Sequence, residues 1–122
     1  MSTKSIVIVD DAKLMRLMLK SIVEKAGYKV LAEMENASQL LEQYTELAPD
    51  LVLLDVIMPK MSGLEALEAL FEMDENAKVI MVSSAGKESN INKAQELGAK
   101  NFITKPFDEN KIVEIINQVL MT

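Results

Sequence analysis

Apolar residues in this chain come in short unbroken runs, each stopped by a polar side chain. Longer stretches between them repeat apolar positions every three or four residues. Ile6-Val7-Ile8-Val9 runs into Asp10 and Asp11, and Leu51-Val52-Leu53-Leu54 into Asp55. Val79-Ile80-Met81-Val82 ends in Ser83 and Ser84, and Phe102-Ile103-Thr104 ends in Lys105 and Pro106. Runs of this kind read as strands buried on both faces. Residues 28–34 alternate in polarity instead, as a strand at a sheet edge does.

The intervening stretches read as helices. Met15, Met18, Leu19, Ile22 and Ala26 keep helical spacing in a segment that opens near Ala12 or Lys13, and Gly27 stands where a helix ends in a left-handed residue. Asn36 with Gln39, and Ser62 with Glu65, have the spacing of capping boxes for a second and third helix. The second stops before Pro49. A short fourth helix is expected from about Asn90 to Leu97, closed by Gly98, after a polar loop over 84–90. Asp108 caps a last helix whose apolar positions are Ile112, Val113, Ile115, Ile116, Val119 and Leu120. Strand and helix thus alternate five times, which predicts an α/β domain. Right-handed crossovers lay helices on both faces of a parallel sheet. The short, mixed-polarity second strand belongs at an edge, so the expected order is 2-1-3-4-5, a (βα)5 flavodoxin-like three-layer sandwich spanning 1–122 as one domain.

Composition narrows the chemistry. The 122 residues suffice for one core, with nearly half of them apolar. There is no cysteine and no histidine, which excludes disulfides, thiolate nucleophiles, a Ser-His-Asp triad and metal sites built on those ligands. A net charge of −6 without a long basic run argues against nucleic-acid binding. The one N-terminal apolar run is too short for a signal peptide, and no stretch reaches membrane-spanning length. A cytoplasmic, monomeric protein is expected.

Taken singly, the strand-end residues are unremarkable. Asp10-Asp11 reads as a helix-capping turn, Asp55 as a turn residue, Ser84 and Lys105 as ordinary strand ends, and Pro59 and Pro106 as turn punctuation. The topology gives them a joint meaning. It delivers acid, acid, hydroxyl and amine to the carboxyl edge of one sheet, where open α/β proteins bind ligands. Asp10, Asp11 and Asp55 from neighbouring strands would repel one another unless a cation joined them. Lys105 is one such cation. Carboxylate oxygens without His or Cys suit Mg²⁺ as another. Metal, ammonium and hydroxyl around one carboxylate form a clamp for a phosphoryl group, and Asp is a competent nucleophile toward phosphorus.

Val9-Asp10-Asp11, Asp55 with Met58-Pro59, Ser84-Ala85 and Lys105-Pro106-Phe107, in this order, resemble the response-regulator receiver domains of two-component signalling. Within them the pattern is most similar to the single-domain chemotaxis regulators. Those regulators are themselves an example of the 2-1-3-4-5 sheet, so the resemblance and the strand order are one expectation rather than two. The resemblance implies that Asp55 accepts a phosphoryl group from a histidine kinase. It implies that Asp11, Asp55 and the backbone carbonyl of Ile57 ligate Mg²⁺, with Asp10 acting through a water. Lys105 and Ser84 would each hold a phosphoryl oxygen, Phe102 would be the switch aromatic, and Lys105-Pro106 would be cis. Serine at 84 and phenylalanine at 102 depart from the commoner threonine and tyrosine.

The resemblance also implies output by protein contact on the face of helix four, strand five and helix five, since no DNA-binding or catalytic segment follows Leu120. A flagellar switch protein is one such target, and a phosphatase a further partner. Three other functions compete. A haloacid-dehalogenase-type phosphatase would place a second Asp two residues after the nucleophile, where Ile57 stands. A flavin or nucleotide binder would need a Gly/Ser/Thr-rich loop in place of Asp10-Asp11-Ala12-Lys13. A receiver-like module that is never phosphorylated would not need these acids and Lys105 together.

Overall fold

The period of two within each apolar run decides the architecture. In the computed structural model the strands are β1 (Ser5–Val9), β2 (Lys29–Met34), β3 (Leu51–Leu54), β4 (Val79–Ser83) and β5 (Asn101–Thr104). The helices are α1 (Lys13–Lys25), α2 (Ala37–Leu47), α3 (Gly63–Met73), α4 (Glu88–Leu97) and α5 (Glu109–Leu120). The structure describes residues 3–83, 88–105 and 108–121, with the backbone alone at 88 and 89. The sheet is parallel and ordered β2-β1-β3-β4-β5, as the sequence predicts.

Successive strand residues point to opposite layers. Val7, Val9, Val52, Leu54, Val79 and Met81 pack with Leu40 and Tyr44 of α2, Leu67 and Leu70 of α3 and Ala94 of α4. Their neighbours Ile6, Ile8, Leu51, Leu53, Ile80 and Val82 pack with Leu19, Ile22 and Val23 of α1 and Ile112, Ile116 and Val119 of α5. Each buried Val, Leu, Ile or Met among these contributes about 1.5–3 kcal/mol by leaving water. The central strands are therefore rigid supports for whatever stands at their ends.

The capping box at Ser62 and Glu65 is present in full. At Asn36 the side chain accepts from the Gln39 N–H, but the Gln39 amide oxygen reaches past the cap to the Glu35 N–H. Gly27 has φ +96, the left-handed geometry expected just past a helix end. Three sequence readings are corrected. The buried stripe of α1 is Leu19, Ile22 and Val23, whereas Met18 and Ala26 are exposed, with Leu14 and Leu17 beside them. Helix α4 begins at Glu88 rather than Asn90, because its polar first turn carries no apolar period. Finally, β2 is not short: at six residues it is the longest strand among the described residues, and its edge position goes with a register slip against β1 between Ile6 and Val7, a bulge of the kind edge strands tolerate. No helix among the described residues is long and apolar enough to cross a membrane.

Candidate functional site

The ladder hydrogen bonds continue one residue past each strand and so set the acids in place. The Asp55 N–H donates to the Val9 carbonyl at 2.9 Å, and the Asp10 N–H to the Met34 carbonyl at 3.0 Å. The Lys105 N–H donates to the Ser83 carbonyl at 2.9 Å. These bonds hold the backbones of Asp10, Asp55 and Lys105 in register at one edge of the sheet. Asp10 and Asp55 are almost completely buried, at 1% and 6% exposure, while Asp11 is exposed.

Side chains complete the arrangement. Lys105 Nζ lies 3.0 Å from Asp10 Oδ2 and 3.9 Å from Asp55 Oδ1. Asp10 Oδ1 accepts from the Ala12 N–H at 2.9 Å, so both oxygens of Asp10 already have donors. Asp10, Asp11 and Asp55 each bring a carboxylate oxygen to within 4.8 Å of the others. Burial pushes the Asp55 carboxyl up to about 6, with the Asp10 charge adding to the rise. Lys105 and the backbone N–H groups of Ile57 and Val56 pull it back.

The loop after β3 is pinned by alternate residues. Val56 and Met58 are buried, and Ile57 between them is 60% exposed at the rim of the acidic pocket. Gly63 locks the loop from the far side. Its N–H donates to the Val56 carbonyl at 2.7 Å, and a Cβ on it would stand 1.9 Å from the Asp55 carbonyl oxygen. A side chain at 63 would therefore displace the backbone that carries Asp55. In the sequence Gly63 marks only the opening of a helix. Its close approach to Asp55 becomes visible only when the chain has folded.

The structure brings together Asp10, Asp11, Asp55 and Lys105 as the topology requires. Phe102 is partly buried against the α2–α4 side of the core, paired across the ladder with Met81. It also borders a shallow groove of about 300 Å³ with Thr104, Lys111 and Ile115, on the face expected to meet a target. Ser84, Gly86 two residues beyond it, and the expected cis bond at Pro106 lie outside the described residues. Sequence reasoning missed Gly63 and also Arg16, whose guanidinium reaches the backbone of Asp10. Arg16 is the one arginine in the chain, and that was the available signal.

The donor set fits a small hard cation. Its oxygens are all carboxylate, and the chain has neither His nor Cys to favour a softer metal. Asp10, Asp11 and Asp55 can each turn one carboxylate oxygen toward such an ion.

Comparison with known proteins agrees with this geometry. A family model described as the response regulator receiver domain matches residues 6–117. The chemotaxis protein CheY of Thermotoga maritima is 45% identical over 116 residues, covering 95% of this chain and 97% of that protein. CheY of Bacillus subtilis is 46% identical over 115 residues, with 94% and 96% covered. Sporulation initiation phosphotransferase F of Bacillus subtilis is 37% identical over 120 residues, with 98% and 96% covered. Among solved structures, a chain of the CheX–CheY–BeF3–Mg²⁺ complex of Borrelia burgdorferi superimposes with a TM-score of 0.94 at 32% identity, covering 98% of this chain and 90% of that one.

Proposed function

The chain belongs to the response regulator receiver domain family of two-component signalling, and on that premise we propose that it is a phosphorylation-dependent switch in which Asp55 is the phosphoacceptor. The observation that carries this reading is the buried Asp55 carboxylate, flanked by two further acids and by Lys105 at 3.9 Å. A carboxyl at about 6 is mostly ionised at neutral pH, by roughly ten to one, and so is ready to attack. One Asp55 oxygen bonds to the phosphorus of a phosphohistidine on a kinase. The P–N bond breaks and the imidazole leaves with a proton from solvent.

Asp11, Asp55 and the carbonyl of Ile57 would hold Mg²⁺, with Asp10 reaching it through a water. When bound, the ion neutralises charge on the phosphoryl oxygens. Lys105 supplies a fixed positive charge beside the acceptor, and its contact with Asp10 positions it there. Ser84 is assigned to a phosphoryl oxygen and Phe102 to the inward movement coupled to it. Phosphorylation shifts the equilibrium only by its differential affinity for the two states. Ser84→Ala should therefore leave labelling of Asp55 largely intact and weaken phospho-dependent target binding. Equal binding by the two phosphorylated proteins would remove Ser84 from the switch.

The 45–46% identity to CheY proteins supports chemotaxis as the pathway. The target would then be a flagellar switch protein, or a partner of the kind CheX represents in the Borrelia complex. The whole chain, 1–122, is read as a single cytoplasmic, monomeric receiver domain with no turnover of an external substrate. The exposed aliphatic Ile57 gives an attacking water nothing to hold, and Gly86 has no side chain, so self-dephosphorylation is expected to be slow. Ile57→Asn with Gly86→Glu should speed it about tenfold.

The test of the acceptor is labelling by acetyl phosphate with Mg²⁺. The wild type should incorporate one phosphoryl group and Asp55→Asn none. A mutant that labels as well as wild type would overturn the assignment and leave an unphosphorylated receiver-like module as the better reading.

A further inference from the structure

The peptide between Asp10 and Asp11 is held from outside the pocket. Arg16 Nη1–H donates to the Asp10 carbonyl oxygen at 2.6 Å. The same guanidinium turns its Nε toward Glu33 Oε1 at 3.8 Å, and Glu33 Oε2 lies 3.6 Å from Lys20 Nζ. The Arg16 side chain is only 14% exposed. The Asp10 carbonyl belongs to the peptide plane whose N–H is that of Asp11. Fixing this carbonyl fixes the direction in which the Asp11 backbone leaves the strand. Asp10 has further anchors of its own, at Met34, Ala12 and Lys105. Asp11 is exposed, and the peptide on its other side is held by the Ala12 N–H to Asp10, so the Arg16 clamp completes the backbone that carries its carboxylate.

We propose that Arg16 is a positioning residue for cation binding, aiming the Asp11 carboxylate by clamping the Asp10–Asp11 peptide and taking its own orientation from Glu33 on β2. This rests on the reading of the acidic pocket as a Mg²⁺ site. Arginine suits the task because its planar fork presents donors in fixed directions, so one group can face a carbonyl and a carboxylate together. A lysine supplies the charge without the fork.

Two physical accounts of Arg16 predict opposite signs. If Arg16 acted only through its charge, removing it would make the pocket more negative and tighten cation binding. If it acts by positioning, removing it loosens Asp11 and weakens binding, as happens when groups that orient metal ligands are lost. The measurement is a titration of the full chain with Mg²⁺ alone, followed by calorimetry and by the amide signals of residues 10–12. Arg16→Met should weaken Mg²⁺ binding roughly tenfold, and Arg16→Lys several-fold despite its retained charge. Unchanged affinity in Arg16→Lys, or tighter binding in Arg16→Met, would overturn the proposal. A lowered melting temperature with wild-type affinity would do the same, since it marks a purely structural role. Should Arg16→Met not fold, Arg16→Lys decides alone. A wild type that does not bind Mg²⁺ would overturn the site itself, which separates that failure from the failure of Arg16.

Discussion

Strand β3 carries an aspartate just before its first residue and another just after its last, and the two lead different lives. Asp50, at the amino edge, accepts from the Ser5 N–H at 2.8 Å and the Ser5 hydroxyl at 3.1 Å, while its own N–H donates to the Ser5 hydroxyl oxygen at 3.2 Å. It is a clasp between β1 and β3, made with neutral donors. Asp55, at the carboxyl edge, is buried with two other acids and one ammonium, and its carboxyl is pushed up to about 6. The same residue type at opposite ends of one strand is structural where neutral donors satisfy it. Where burial and like charge leave it destabilised as an anion, it has the setting that the proposed phosphoacceptor needs.

The contrast can be broken most forcefully through Gly63. A methyl group there meets the Asp55 carbonyl, a backbone atom that cannot swing aside. Gly63→Ala should cost about 2–4 kcal/mol in urea unfolding and reduce labelling of Asp55 as well. Nothing comparable would happen at Asp50.

The next effect is pH dependence. In the folded protein the Asp55 carboxyl holds its proton up to about 6, against 3.8 as its ordinary value. The folded state therefore binds more protons than the unfolded state between these values. Stability from this group is fully present below about pH 4 and is lost as pH rises toward 6. The loss amounts to at most about 3 kcal/mol. Asp55→Asn should flatten this fall and be more stable than wild type at neutral pH in chelator. Unfolding curves that fall equally steeply in both proteins would show that Asp55 is not the strained acid.

A smaller effect is expected at the other end of the strand. Asp50→Ala leaves the Ser5 donors without their acceptor and should cost about 1–2 kcal/mol, with labelling of Asp55 unchanged. The smallest lies in the loop beyond Asp55, where Lys60 has φ +70. Glycine there relieves left-handed strain but loosens the unfolded chain, so Lys60→Gly should gain only about 0.5 kcal/mol. A thermal melt will show the sign.

The sheet was legible because its signals are local. Four consecutive aliphatic residues such as Leu51–Leu54 leave little choice but a doubly buried strand, and the residue that ends the run must stand at an edge. The acids and Lys105 followed once strand order placed their edges side by side. The face of α1 was less legible. Apolar Leu14, Leu17 and Met18 fit the helical period as well as the buried residues do, and only packing separates them. Gly63 and Arg16 were not legible, because each acts on a backbone carbonyl that is remote until the chain folds. Asp50 and Asp55 differ in sequence only by the end of the run that they flank, and the partners that separate them appear with the fold. Their difference lies in which neighbours the fold supplies.

The central claim is that Asp55 alone among the pocket's acids takes the phosphoryl group, and that it does so with a divalent cation. The direct test is to treat the wild-type chain with acetyl phosphate, with Mg²⁺ or with chelator, reduce the acyl phosphate with borohydride, and map the modified residue by peptide mass spectrometry. The expected result is a single modification at Asp55 that requires Mg²⁺. Modification at Asp10, Asp11 or Asp50, or full modification of Asp55 in chelator, would contradict it.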